Sequence, residues 1–323
     1  AGIHHVTAIA GDPQRNVDFY VGTMGLRLVK RSVNQDDPGT YHLFYADALG
    51  HPGTDLTFFP WRDARRGWQG NGQAVTVGLA IPEGALGFWA TRLAQAGLEV
   101  RTENGPFGED VIAFSDPDGL RLELVAGPGT DERALWAPWA EGPVPVEMAI
   151  RGFHYVAVQE AGVEPTLGFV TGVLGFRRIA EAGGRLRLAT GTGESGGFLD
   201  LLPRPGERHG RVAVGTVHHV AWRTPDDGEQ RKWWERIGEV NASLSPIIDR
   251  FWFRSIYFRE PGGVLFEIAT DGPGFTADEA PEGLGSRLIL PPWLEPQRAQ
   301  IESTLPALRM PVTASLAGGV GNE

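Results

Sequence analysis

Two short segments concentrate the residues able to do chemistry: Ile3-His4-His5-Val6-Thr7 and Val217-His218-His219-Val220-Ala221 each set a histidine pair among apolar neighbours. A glutamate, Glu267, closes the run Val264-Leu265-Phe266-Glu267, which follows the turn-forming Glu260-Pro261-Gly262-Gly263. Two neutral imidazoles and one carboxylate leave three faces of an octahedral ion open. That donor set is associated with non-haem Fe(II) that must hold a bidentate substrate together with dioxygen. The chain has no cysteine, so any metal must use His, Asp or Glu, and cysteine nucleophiles are excluded. Taken singly, each histidine also fits an ordinary polar strand residue. What sets His5, His219 and Glu267 apart is that they fall at matched positions of a repeat.

The repeat is visible in the first strands. Gly2-Ile3-His4-His5-Val6-Thr7-Ala8 aligns with Gly152-Phe153-His154-Tyr155-Val156-Ala157 and with Thr216-Val217-His218-His219-Val220-Ala221, each an alternating apolar run that reads as a strand. Helix-like stretches follow, Asn16 to Met24 before Gly25 and Leu167 to Val170 before Gly175, each stopped by a glycine suited to the left-handed conformation. Strand-like segments begin again near Ala74 and Thr216, and helix-like ones run from Leu86 to Ala96 and from Asp227 to Ile237. The expectation is an α+β fold of four βαβββ units, at about residues 1–62, 73–127, 150–205 and 215–271. Two units per domain give domains over 1–140 and 146–275, joined through a Gly/Pro-rich stretch from Gly127 to Pro145, with an extension over 276–323. The extension is expected to carry a helix from Arg298 to Leu305 and a disordered tail from Pro311 to Glu323.

Overlaying the units asks which residue each places at equivalent points. On the first strands these are His5, Thr76, Tyr155 and His219; on the last strands, four residues beyond a turn glycine, they are Thr57, Glu123, Leu201 and Glu267. Only the first unit paired with the fourth brings two histidines and a carboxylate together, so one metal per chain is expected. Thr57 holds the remaining position. A carboxylate or imidazole there would complete four protein ligands and favour a redox-inert Lewis-acid role; threonine leaves room for oxygen chemistry.

At these residues the sequence resembles the vicinal oxygen chelate (glyoxalase/bleomycin resistance/extradiol dioxygenase) superfamily, and within it the ring-cleaving dioxygenases that act on hydroquinones. The resemblance rests on His4-His5-Val6-Thr7, on Val217-His218-His219-Val220-Ala221, on the block Arg254-Ser255-Ile256-Tyr257-Phe258-Arg259-Glu260-Pro261-Gly262-Gly263 leading to Glu267, and on Leu288-Ile289-Leu290-Pro291-Pro292. It implies two tandem glyoxalase-like domains, Fe(II) with Mn(II) as the alternative, and an active site using His5, His219 and Glu267 as ligands. It further implies Tyr257, His218 and His4 as catalytic groups and Arg250 and Thr7 as substrate-binding groups. The reaction implied is insertion of dioxygen into the ring of a para-diol beside a hydroxylated carbon.

The residues themselves weigh those flanking roles differently. Thr7 shares the pleat face of His5 and can point into the same cup, or be a satisfied strand hydroxyl. His4 and His218 precede the ligands and in regular strands face the other way, as core or interface histidines do. Tyr257 lies one strand before Glu267 and can bring its phenol to the site, or simply be buried. Arg250, beside Asp249, can offset a bound phenolate or form a surface ion pair.

Bulk properties narrow the partners. A formal charge of −11 and a pI near 5.3 disfavour nucleic acid and anionic membrane surfaces. No stretch approaches the ~20 apolar residues of a spanning helix, so a cytoplasmic location is the default, and a homodimer or higher homo-oligomer is expected. A small aromatic diol and dioxygen are the expected partners. Three rivals stand beside this reading: a catechol extradiol dioxygenase with the same triad, a glyoxalase or thiol-transferase-like metalloenzyme, and a metal-free binding protein of the same fold.

Overall fold

The computed structural model describes residues 1–131 and 136–310. Four times the chain runs strand, helix, three strands. The first unit is β1 (Ile3–Ala10), α1 (Pro13–Val17) extended by a π-helical turn (Asp18–Thr23), β2 (Arg27–Asn34), β3 (Asp37–Ala46) and β4 (Asp55–Pro60). The second is β5 (Gln73–Ala80), α2 (Leu86–Gln95), β6 (Arg101–Asn104), β7 (Asp110–Ser115) and β8 (Arg121–Ala126). The third is β9 (Gly152–Glu160), α3 (Glu164–Gly172), β10 (Arg177–Ala182), β11 (Arg185–Ala189) and β12 (Phe198–Pro203). The fourth is β13 (Thr216–Thr224), α4 (Asp227–Gly238), β14 (Ile248–Asp249), β15 (Arg254–Arg259) and β16 (Leu265–Thr270), and α5 (Arg298–Thr304) follows.

Local chemistry sets several of these boundaries. Asp12 caps α1 by accepting a hydrogen bond from the Arg15 backbone, with Pro13 at the first helical position, and Asp226 caps α4 through the Glu229 N–H. Gly25 and Gly175 end their helical segments at φ of +68° and +75°, the left-handed conformation a helix-stopping glycine supplies.

The units pair into two curled eight-stranded sheets. One has the order β14-β15-β16-β13-β1-β4-β3-β2 and joins units four and one; the other, β10-β11-β12-β9-β5-β8-β7-β6, joins units three and two. Each join is antiparallel, β1 on β13 and β5 on β9, whereas inside each unit the first strand lies parallel to the last. His5, His219 and Glu267 therefore stand on three adjacent strands of a single sheet.

Strand alternation splits that sheet between two clusters. Val6, Ala8 and Val220 on one pleat join the main core with Trp89, Val170 and Ile237 from the helices. Full burial of one valine or leucine contributes about 1.5–3 kcal/mol. On the opposite pleat Phe44, Ala221 and Ala269 join a second cluster, closed by Phe275, Leu284 and Ile289 from the segment after β16. Among the described residues no helix is long and apolar enough to cross a membrane. The tail expected to be disordered, Pro311 to Glu323, lies outside the described residues, as does part of the Gly127 to Pro145 stretch.

Register corrects one equivalence. Thr57, Glu123 and Glu267 lie opposite Thr7, Gly78 and Ala221, each two residues beyond its unit's first-strand position. In unit three the residue opposite Ala157 is Asp200, and Leu201 faces Val158. Two glycines adjoin here, and the one at positive φ is Gly196 (+89°), matching Gly53 (+96°), Gly119 (+94°) and Gly263 (+105°). The second glycine, Gly197, adds one residue to the spacing read from sequence, so the equivalent position is Asp200 and not Leu201. Units two and three thus present two carboxylates, Glu123 and Asp200, rather than Glu123 alone. Arginine side chains engage both: Arg185 Nη2 lies 3.4 Å from Glu123, and Arg187 Nε donates to Asp200 at 2.7 Å.

Candidate metal centre

Three atoms form a nearly equilateral triangle. His5 Nε2 is 3.2 Å from His219 Nε2 and 3.3 Å from Glu267 Oε2, and His219 Nε2 is 3.0 Å from the same oxygen. Among the described residues this is the one group of three or more His, Asp or Glu side chains close enough to share a metal ion. The face of an octahedron has edges √2 times its bond length, so these edges correspond to bonds of about 2.1–2.3 Å, the range of nitrogen and oxygen ligands to divalent metals. Glu267 Oε2 is buried with no hydrogen-bond partner, while Oε1 accepts from Ser255 Oγ at 2.5 Å. An orphaned buried carboxylate oxygen aimed between two imidazole nitrogens fits a cation at the centre of the triangle.

Electrostatics agree with that donor set. Burial pushes the Glu267 carboxyl up, but His5 and then His219, whose ring nitrogens lie beside its Oε2, outweigh it, so the group stays well below the usual carboxylate range. Burial is the main cause that lowers His219, with Glu267 acting against it. Neutral imidazoles and an ionised carboxylate are the forms a metal requires.

The triangle opens on a cavity of about 310 Å³. Its walls are aromatic, with Phe44, Phe59, Trp252 and Phe253 lining it together with His42, His218, Arg250 and Tyr257. Phe253 packs at 5.1 Å from the ring of His5. Tyr257 lies opposite Glu267 in the β15–β16 ladder, with its ring 5.7 Å from that of His219. Burial, then the charge of Glu267, drives its phenol above the ordinary value, which keeps the proton on Oη. Arg250 lies over the Tyr257 ring at 5.5 Å and pairs with Asp36 through hydrogen bonds of 2.9 and 3.2 Å. Its partner is thus Asp36 of unit one, not the neighbouring Asp249.

The other expected site residues divide. His218 lines the cavity and sets its Nδ1 2.7 Å from Nδ1 of His219. His4 does not line the cavity; it stands behind His5, in a stretch where the β1–β13 register shifts. Thr7 is also withdrawn: it is fully buried and its Oγ1 lies 2.7 Å from Thr57 Oγ1. Thr57 in turn lies 2.9 Å from His42 Nε2, so Thr7 reaches the cavity only through two other side chains. His42, Phe253 and Ser255 are the residues that sequence reading missed. A usable signal existed for one of them, because His42 and Phe44 share a pleat in the alternating run Thr40-Tyr41-His42-Leu43-Phe44.

Comparison with known proteins gives concordant matches. The family model described as glyoxalase/bleomycin resistance protein/dioxygenase superfamily matches residues 2–124 and 152–268. A Bacillus subtilis protein named as a ring-cleaving dioxygenase, MhqO, is 43% identical over 94% of this chain and 95% of its own length. The chlorohydroquinone/hydroquinone 1,2-dioxygenase of Sphingobium indicum is 35% identical over 94% and 95% of the two chains. A crystal structure of a Bacillus subtilis protein described as a dioxygenase superposes with a TM-score of 0.89 at 42% identity, covering 96% of this chain and 98% of that one.

Proposed function

Because the chain belongs to the glyoxalase/bleomycin resistance protein/dioxygenase superfamily, we propose that it is a ring-cleaving dioxygenase that holds Fe(II) on His5, His219 and Glu267 and opens the ring of a hydroquinone. The observation that carries this reading is the triangle of two imidazole nitrogens and one carboxylate oxygen facing an aromatic cavity. Threonine rather than a fourth ligand stands at position 57, and its hydroxyl is already engaged by Thr7 and His42. That disfavours a glyoxalase-type isomerase. The relative whose name specifies hydroquinone supports the substrate class.

Bound at the triangle, such an ion supplies Lewis acidity that lowers the pKa of a phenol and the redox chemistry by which dioxygen attacks an aromatic ring. The protein's own groups prepare the substrate for it. Phe44, Phe59, Trp252 and Phe253 exclude water from the ring faces. A cavity of ~150 Å³ suffices for benzene, so about 310 Å³ accepts a single substituted ring with space beside it. Arg250 offsets the negative charge of a phenolate. Tyr257 keeps its proton and serves as a hydrogen-bond donor to an oxygen that gains charge. His4 and His218 each abut the Nδ1 of a ligand histidine and hold its ring in orientation.

The test is anaerobic loading with Fe(II) or Mn(II), followed by oxygen-uptake measurements with hydroquinone, chlorinated and methylated hydroquinones, and catechol. Uptake with the para-diols, giving ring-opened product by mass spectrometry, is the expected result. Uptake with catechol alone would replace the hydroquinone assignment with an extradiol one. No uptake with any diol in the loaded protein would overturn the dioxygenase reading.

A further inference from the structure

We propose that His42 is a specificity-determining residue: its Nδ1 hydrogen-bonds the second hydroxyl of a para-diol whose first hydroxyl is held at the His5–His219–Glu267 centre. The proposal rests on the diol reading above and adds the group that recognises the far end of the ring.

Position comes first. In the sheet order β1-β4-β3, His42 lies two strands from His5 on the same cavity wall. At about 4.8 Å between neighbouring strands, the β1 and β3 axes run roughly 10 Å apart, and the register sets His42 further along the sheet, beyond the Thr7–Thr57 pair that follows His5. His42 thus lines the same cavity of about 310 Å³ as His5 and His219 but stands away from them along its wall, where the far substituent of a ring held at the triangle would lie. An ortho-diol would keep both oxygens at one end and leave His42 without a partner.

The second observation is the inequality of the two ring nitrogens. Nε2 is tethered to Thr57 Oγ1 at 2.9 Å, and Thr57 to Thr7 Oγ1 at 2.7 Å. Nδ1 makes no hydrogen bond to the protein among the described residues, although the ring lines the cavity. His4 shows what a histidine with no nitrogen left for the cavity looks like in this molecule. Both its nitrogens are engaged, Nδ1 by His5 and Nε2 by the Thr270 carbonyl, and it is excluded from the cavity. The ring is only partly buried and forms part of the cavity wall, so the nitrogen not tethered to Thr57 is available to a ligand that fills the cavity.

The ring is also held rigidly. Phe44 and Phe59 pack against it with centroids at 3.8 and 4.4 Å, so its direction is set before a ligand arrives. Burial, reinforced by His5, His219 and Arg250, keeps it uncharged. A neutral imidazole has one donor and one acceptor. The Thr57 and Thr7 hydroxyls can turn together, so Nδ1 can present either to a hydroxyl, which itself can donate or accept. Pockets built to hydrogen-bond a hydroxyl reject the analogue lacking it far better than apolar pockets reject a size change.

Calorimetric titration of the metal-loaded protein under argon with hydroquinone and with phenol tests this, because phenol keeps one hydroxyl and lacks the other. The wild-type protein should bind hydroquinone at least about tenfold more tightly than phenol. In His42→Phe the ratio should collapse toward one through weaker hydroquinone binding, with phenol binding and metal content unchanged, while His42→Gln recovers part of it. Thr57→Val, which cuts the tether and leaves the imidazole in place, should lower the ratio as well and serves if His42→Phe does not fold. A ratio near one in the wild-type protein, or one unchanged in these variants, would overturn the role of His42 and leave the dioxygenase reading standing. A loaded wild-type protein that binds neither compound and takes up no oxygen would overturn both.

Discussion

Nδ1 of His4 stands 2.9 Å from Nδ1 of His5, and the far nitrogen of His4 lies 3.1 Å from the carbonyl oxygen of Thr270. A carbonyl only accepts, so His4 donates from Nε2–H. Burial, then the neighbouring His5, lowers His4 to about 3, so its ring is neutral and its Nδ1 must accept. His5 therefore donates from Nδ1–H, and Nε2 is the nitrogen it turns toward His219 and Glu267. A backbone carbonyl on β16 thus sets the tautomer of a candidate ligand on β1 through one intervening ring.

Replacing that ring should be felt at the metal. His4→Phe keeps the bulk and removes both hydrogen bonds, and the expected loss in divalent-metal affinity is about 10- to 100-fold. Competition against a coloured chelator measures it directly. Affinity equal to that of the wild-type protein would show that His5 needs no such support.

A second pair predicts how stability depends on pH. Glu160 ends β9 and Glu260 opens the turn between β15 and β16; both are buried and both engage the Thr166 hydroxyl. Burial, then the charge of Glu260, pushes Glu160 up to about 8 from an ordinary 4.5. The folded state therefore holds a proton that the unfolded chain has released, and stability falls as pH rises between about 4.5 and 8. Glu160→Gln removes that dependence. Between pH ~5 and ~9 its stability relative to the wild-type protein should improve by on the order of a few kcal/mol. Urea unfolding at the two pH values checks it, and parallel curves for the two proteins would refute it.

The wall of the cavity depends on a buried lysine. Lys30 is fully buried, its Nζ bonded to the Phe275 carbonyl at 3.1 Å, to Asp278 at 3.0 Å and to Glu279. Asp278 also accepts from the indole of Trp252, whose ring lies 5.2 Å from the same ammonium. Lys30→Met would leave the buried Glu279 carboxylate with Arg287 alone, its Nε 3.6 Å away, and should cost about 3 kcal/mol, the lower end for breaking a buried pair. Hydrogen exchange should rise first in the segment around Phe275 to Glu279, with altered fluorescence from Trp252. Exchange that increases evenly over the whole chain would argue against this local anchoring.

Much of this protein could be read from its sequence because the relevant signals are local. Helix-stopping glycines, hairpin turns and apolar alternation each depend on a few neighbouring residues, so the four βαβββ units were legible. The repeat then carried the alignment of His5, His219 and Glu267, since equivalent residues in equivalent units occupy equivalent places. Where a local cue was double, as with Gly196 and Gly197, counting failed by one residue and Leu201 stood in for Asp200. Tertiary structure alone decided the rest. Arg250 finds Asp36 in the turn between β2 and β3, Thr7 is sealed behind Thr57, His4 turns back onto Thr270, and His42 enters the cavity, each through the way strands and turns from separate parts of the chain are brought together. A one-residue slip in any such pairing sends a side chain to the other face, and that register is fixed by the packing of whole sheets, which no short stretch of sequence contains.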